Sequence, residues 1–426
     1  MNKKSNVEHL TAAETMLIQA CDAACQEQTV NQELTAFKSR LLHDFRAEGL
    51  LPTRRIEDWH YTDLKRILKI FPANKEKSSV LEKEYDCLVE GSIKLLIGRK
   101  IPCSAQEKNI RVYDFSHKEE KSLYLEPLKK HDVIGYINAI LVKDGYRIEI
   151  PDGCHLDVPL ELQSVQSGGQ MNLRYSIQCG INSKATIVER YITSQQYPSF
   201  VSSIAEIKVC SGAEVVWVIV QEQGAEDTHL GQVRVFLERN ASLKIFVIHT
   251  SEGLVRREVF VDVEGEESKV MLRGINLLKG TTHHDLSVFL NHKEPNSHST
   301  TSVRNIVLEK STGVFQAKIS VSAKAQGSNA NMTSRTLLRS DEGNFFVKPE
   351  LEIFADDVLC GHGATTSDIN QNHLYYLMMR GIPEKKAYLM LSHAFVSEVI
   401  ADLEDELLQS SLEKIISAWM NKSFMK

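Results

Sequence analysis

The sequence predicts a mainly β fold, a core of stacked repeats forming a β-helix, flanked by N-terminal and C-terminal α-helical regions. Three features of the chain point there. From about Tyr146, β-branched and polar residues alternate at period two, the pattern of strands with two unlike faces. Polar turns recur at a fixed interval, with Gly153, Asn182, Ser211 and Asn240 lying 29 residues apart at each step. On either side of this stretch, apolar residues recur at three and four, the period of a helix face. The chain accordingly divides into a helical region over 1–100, a β core over 101–366 and a helical domain over 367–426.

In the first region, Thr11-Ala12-Ala13-Glu14 fits a capping box, in which hydroxyl and carboxylate satisfy each other's backbone donors. Leu34, Phe37, Leu41 and Phe45 then predict an amphipathic helix that stops near Gly49. The stretch GLLPTRRIEDWHYTDL follows, and its Gly and Pro break the helix. Its Trp59 and Tyr61 are expected to anchor the segment while Arg54, Arg55 and Glu57 pair locally.

The core reads as repeated strand, small polar turn, strand, as in YSIQCGINSKATIVERYI and VRVFLERNASLKIFVIHT. The interval shortens to 25 residues at Gly265, and Gly313 and Glu342 are again 29 apart. A fixed period signals stacking, because one unit cannot bury its apolar face until the next covers it. A β-sandwich of hairpins would share the texture, but the constant length favours the β-helix. After Thr366 helix returns, with Asp368 as cap, Leu374, Leu377 and Met378 on one face and Arg380-Gly381 as stop. Pro383 opens a second helix carrying Tyr388, Leu391, Phe395, Val399 and Leu403. A third carries Leu408, Leu412, Ile415 and Trp419.

The formal charge of −6 argues against a nucleic-acid surface, which needs concentrated Lys and Arg, and the run Lys129-Lys130-His131 is too short to alter that. The N-terminus lacks an apolar stretch after its lysines, and runs such as Val215-Val216-Trp217-Val218-Ile219-Val220 are far below a membrane span. A cytoplasmic protein without a membrane partner is expected. Eight cysteines form no CxxC pair, so reduced thiols are expected, mostly as small buried residues.

Phosphate-loop, dinucleotide, zinc-protease and serine-hydrolase signatures are missing. In His283-His284-Asp285, neighbouring strand residues point to opposite faces, which disfavours joint ligation. Cys360 and His362 differ, because residues two apart share a face and a thiolate and an imidazole could reach one ion. Gly361 and Gly363 leave room around them. Two ligands do not complete a tetrahedral site, so others would come from elsewhere in the chain or from a partner. A buried thiol beside a capped imidazole fits the same residues, and Asp356 and Asp357 suit a turn as well as a ligand role. A polysaccharide-acting β-helix enzyme would need converging carboxylates. The acidic pairs Asp262 with Glu264 and Glu350 with Glu352 are not tied to one groove by the sequence.

The segment LEIFADDVLCGHGATTSDINQNHLYYLMMRGI closely resembles the C-terminal signature of the SufB/SufD family of iron–sulfur cluster assembly proteins. GLLPTRRIEDWHYTDL resembles the N-terminal signature of its SufD branch. The resemblance runs over essentially the whole chain. It implies a right-handed parallel β-helix, a non-catalytic scaffold that pairs with SufB through that core, and docking of the SufC ATPase on the C-terminal helices. It implies a nascent iron–sulfur cluster shared with SufB, with His362 and Cys360 as the cofactor-binding and metal residues of this chain. Any flavin would belong to the assembled complex, and an isolated chain could pair with itself. Leu359 and Gly361 depart from a basic residue and a serine common at those places, which touches local polarity only.

Overall fold

The computed structural model describes residues 10–27, 32–73, 85–99, 101, 110–115, 125–194 and 197–424. Cys103 lies outside them. Two nine-stranded sheets face each other. The first runs β1 (Ile93–Leu96), β4 (Leu160–Gln166), β6 (Lys184–Thr193), β8 (Glu214–Glu222), β10 (Ser242–His249), β12 (Lys269–Leu278), β14 (His298–Val307), β16 (Asn329–Leu338) and β18 (Leu359–Ser367). The second runs β2 (Arg111–Asp114), β3 (Asp144–Ile150), β5 (Gly169–Cys179), β7 (Ser199–Val209), β9 (Asp227–Leu237), β11 (Leu254–Val263), β13 (His283–His292), β15 (Thr312–Val321) and β17 (Asn344–Ile353). Consecutive strands from β3 onward alternate between sheets, and each pairs in parallel with the strand two places on; among the described strands only β2 with β3 is antiparallel. The expected strand–turn–strand units are therefore the two sides of a coil, and the fold is a parallel β-solenoid.

Side-chain alternation sorts each strand between the interior and a covering layer. In β8, Val215, Trp217 and Ile219 join the interior core, while Val218 and Val220 face outward. Parallel strands covered on both faces need apolar residues in both registers, which explains the unbroken run around Trp217.

Corners hold the coils in register. Gly153, Asn182, Gly212, Asn240, Glu267, Asn296 and Gly327 have positive φ, with steps from 27 residues (Asn240 to Glu267) to 31 (Asn296 to Gly327). Each donates its backbone N–H to a carbonyl in the next coil's corner, as Asn182 to Ser211 at 3.0 Å and Gly327 to Asp357 at 2.7 Å. The left-handed residues thus fall beside two expected markers, at Gly212 rather than Ser211 and Glu267 rather than Gly265. Gly313 proves to be a strand residue of β15.

Helices α1 (Ala12–Gln26), α2 (Gln32–Ala47) and α4 (Val133–Leu141) cover the outer face of the second sheet around Phe200, Leu230 and Leu254. The capping box of Thr11 and Glu14 is present at α1, and the short helix α3 (Leu64–Ile67) follows the Trp59 segment. Helices α5 (Gln371–Met379), α6 (Glu384–Ile400) and α7 (Glu406–Phe424) cover the outer face of the first sheet, over Val218, Phe246, Ile275 and Ile306. The cap of α5 is Asn370, whose side chain accepts from the Asn372 N–H, and not Asp368, because the chain is still leaving β18 at Ser367. Among the described residues no helix is long and apolar enough to cross a membrane.

Candidate functional site

Cys360 and His362 lie on β18, the last strand of the first sheet, paired with Ala330 and Met332 of β16. Ala330 and Met332 belong to the buried interior, so the period of two places Cys360 and His362 on the interior side of a coil that has no successor. Cys360 packs partly against the core, whereas His362 is exposed. Burial raises the Cys360 thiol above its ordinary value, partly offset by a backbone hydrogen bond from Ala330. The thiol is therefore protonated at neutral pH, and binding a metal would release its proton.

Around this pair the last coil is open. Among the described residues β17 and β18 each have a single neighbour in their sheet, leaving rows of backbone donors and acceptors unpaired along both edges. Phe354 is 66% exposed and Leu359 71%, beside Phe346 and Ile353. On the other face of β18 a Cβ at Gly363 would meet nothing within 4 Å, while one at Gly361 would approach Asn331 Oδ1 at 3.0 Å. Asp356 and Asp357 occupy the bend before β18, where Asp357 accepts from Gly327. They shape the corner.

Among the described residues no three His, Cys, Asp or Glu side chains group to hold a metal. Cys179 and Cys210 are buried at neighbouring corners, and burial pushes the Cys179 thiol up to about 12. His284 faces the interior, while His283 and Asp285 face outward and meet the Thr62 hydroxyl. The acidic pairs are engaged by lysines, Asp262 and Glu264 by Lys293 and Glu350 and Glu352 by Lys348 and Lys318.

The Trp59 segment crosses the outer face of the second sheet as a strap. Trp59 is buried under the Arg256 guanidinium at 3.9 Å, and Tyr61 stacks on Phe346 of β17 at 5.0 Å. Glu57 bonds Lys348 and Asp58 bonds Lys129, so only the Arg54–Asp63 contact is local as expected. On α5 the expected apolar face holds at Leu374 and Leu377, which pack toward the core, but not at Met378, which is exposed. Leu374 is its one buried residue, and Tyr375, Tyr376, Met378 and Met379 form an exposed face. The signal lay in composition, since adjacent tyrosines and methionines suit an adaptable contact surface.

A family model described as SUF system FeS cluster assembly, SufBD core domain, matches residues 162–395. The chain is 24% identical over 371 residues to the iron–sulfur cluster assembly protein SufD of Escherichia coli (strain K12), covering 85% of this chain and 88% of that protein. An iron–sulfur cluster assembly SufBD family protein of Synechocystis is 24% identical over 396 residues, covering 86% and 87%. The iron–sulfur cluster assembly protein SufB of Bacillus subtilis is 23% identical over 278 residues, covering 63% and 59%.

Proposed function

The chain belongs to the SufB/SufD family, on its SufD branch, and from that premise we propose that it is a non-catalytic scaffold subunit that pairs with SufB and docks the SufC ATPase in the cytoplasm. The observation that carries this is the open last coil, which presents Cys360 and His362 on its interior side between unpaired sheet edges and an apolar rim. An edge of this kind is completed by strands of a partner, and a partner seated there would bring its own ligands to the same point.

Thiolate stabilises soft, covalent bonding to iron, while imidazole is a weaker and more exchangeable ligand. A mixed site shared by two chains can hold a nascent cluster as cargo and still release it. The exposed face of α5 supplies a docking surface for the ATPase three residues beyond β18, so movement of the docked helix would be felt at the cluster site. In the assembled complex, His362→Ala should leave subunit association intact and lower cluster yield by about tenfold or more. A normal yield in that variant would sink the ligand role.

A second reading, in which the chain only holds its partners in place, is favoured by the packing of Cys360 against the core and its raised thiol. Iron-site spectroscopy of the reconstituted complex with and without His362 separates the two, because a spectator histidine leaves the spectrum unchanged.

A further inference from the structure

Deep inside the solenoid, far along the sequence from β18, Gln221, His249 and His284 each carry a buried acceptor that has no partner among the described residues. His249 ends β10 and His284 begins β13; both are fully buried, their ring centroids 5.4 Å apart with planes at 72°. His249 Nδ1 lies 2.9 Å from Asn276 Oδ1, and Asn276 Nδ2 donates to Asn305 Oδ1 at 2.7 Å. The Asn276 oxygen therefore accepts from His249, which puts the His249 proton on Nδ1 and leaves a lone pair on Nε2. His284 Nε2 lies 3.1 Å from the Ser251 carbonyl, which can only accept, so the lone pair of His284 is on Nδ1. Among the described residues neither lone pair has a partner, nor has Oε1 of Gln221, the register neighbour of His249 on β8.

We propose that Gln221 Oε1, His249 Nε2 and His284 Nδ1 form a buried binding site for one divalent transition-metal ion of the class that imidazole accepts, zinc or ferrous iron. Metal-ligating imidazoles are typically fixed through the opposite ring N–H by a carbonyl or carboxylate, and both rings here are anchored in that manner. Two imidazoles bound at about 2.0–2.1 Å with a near-tetrahedral angle place their centroids about 5 Å apart, close to the separation found. A single water molecule has two protons and cannot serve three acceptors, whereas a cation serves all of them. Neutral ligand sets hold zinc in three-histidine sites, and the nearby Arg257 charge is matched by Glu189 at 3.6 Å.

The test uses the full chain carrying Cys360→Ser and His362→Ala, so that the open-end pair is removed and the outcome is independent of the scaffold reading. After chelator treatment it is dialysed against Zn²⁺, and against Co²⁺ as a spectroscopic probe. One retained equivalent, the visible absorption of four- or five-coordinate Co²⁺, and a metal-dependent rise in Tm are expected. His249→Gln and His284→Gln should each weaken binding at least about tenfold. Gln221→Leu, which keeps both imidazoles, should weaken it less while leaving the circular dichroism of the fold unchanged. No retained ion in the parent chain, or equal retention in it and all three variants, overturns the proposal.

Discussion

His292 shows how much a single buried side chain can couple stability to pH. It lies on the interior side of β13, with Ser297 Oγ at 2.7 Å from Nδ1 and Ser299 Oγ at 2.8 Å from Nε2, and both hydroxyls can serve a neutral ring. Burial, with a smaller contribution from His298, pushes it down to about 4. In the unfolded chain it titrates near 6.5, so between the two values the unfolded state binds the extra proton. Its contribution to stability is thus full above about pH 6.5 and is lost as pH falls toward 4. Between pH 8 and pH 5 the loss is about 2 kcal/mol from this residue alone. Urea melts at the two pH values should show that difference shrinking in His292→Gln; an unchanged pH slope would mean that the ring titrates normally in the fold. Position within the chain foretold little of this, since His283, His284 and His292 look alike until strand parity assigns each a side.

At the scale of the element, the corners decide register. At the corner that runs from Gly153 to Gly327 a left-handed residue recurs in every coil, and at two places an asparagine of one coil sits directly under a glycine of the next. A Cβ on Gly212 would lie 2.2 Å from Asn182 Oδ1, and one on Gly327 would lie 2.4 Å from Asn296 Oδ1. Gly212→Ala combines that clash with a φ of 70°, and should cost about 1–2 kcal/mol in chemical denaturation. Gly363→Ala, in open space, should cost far less. Asn182 and Asn240 were readable as corners because asparagine tolerates the left-handed region and its side chain suits turns. Glu267 was not, since nothing about glutamate marks a positive φ. Helix α4 also escaped notice: all nine of its residues are buried, and VIGYINAIL is a short, largely apolar run that periodicity alone does not separate from a buried strand. The pair Cys360 and His362 was legible through its spacing. The set Gln221, His249 and His284 was not, because its members become neighbours only after the chain has wound through successive coils.

For the whole molecule, the two helical layers have different relations to the solenoid. The C-terminal bundle is fixed to the first sheet by Arg304 with Glu398 at 2.8 Å, by Arg273 with Asp402, and by Arg339 stacked on Tyr388 at 3.8 Å. Removing it would bare Phe246 and Ile275, so truncation confounds docking with stability. A cleaner test of ATPase docking is Tyr376→Glu with Met379→Glu on the exposed face of α5. Co-purification of the ATPase should be lost while the melting temperature stays within a few degrees, and retained binding would move the dock elsewhere. The strap imposes a further constraint. Adjacent coils rise by about 4.8 Å, so the nine strands of each sheet set a length of roughly 38 Å that can change only by whole coils. Because Trp59 is held at Arg256 on β11 and Tyr61 at Phe346 on β17, the strap measures out three of those steps. Duplication of a repeat within that interval would carry Phe346 one coil beyond its reach, whereas duplication between β3 and β11 would lengthen the protein and leave the gauge intact.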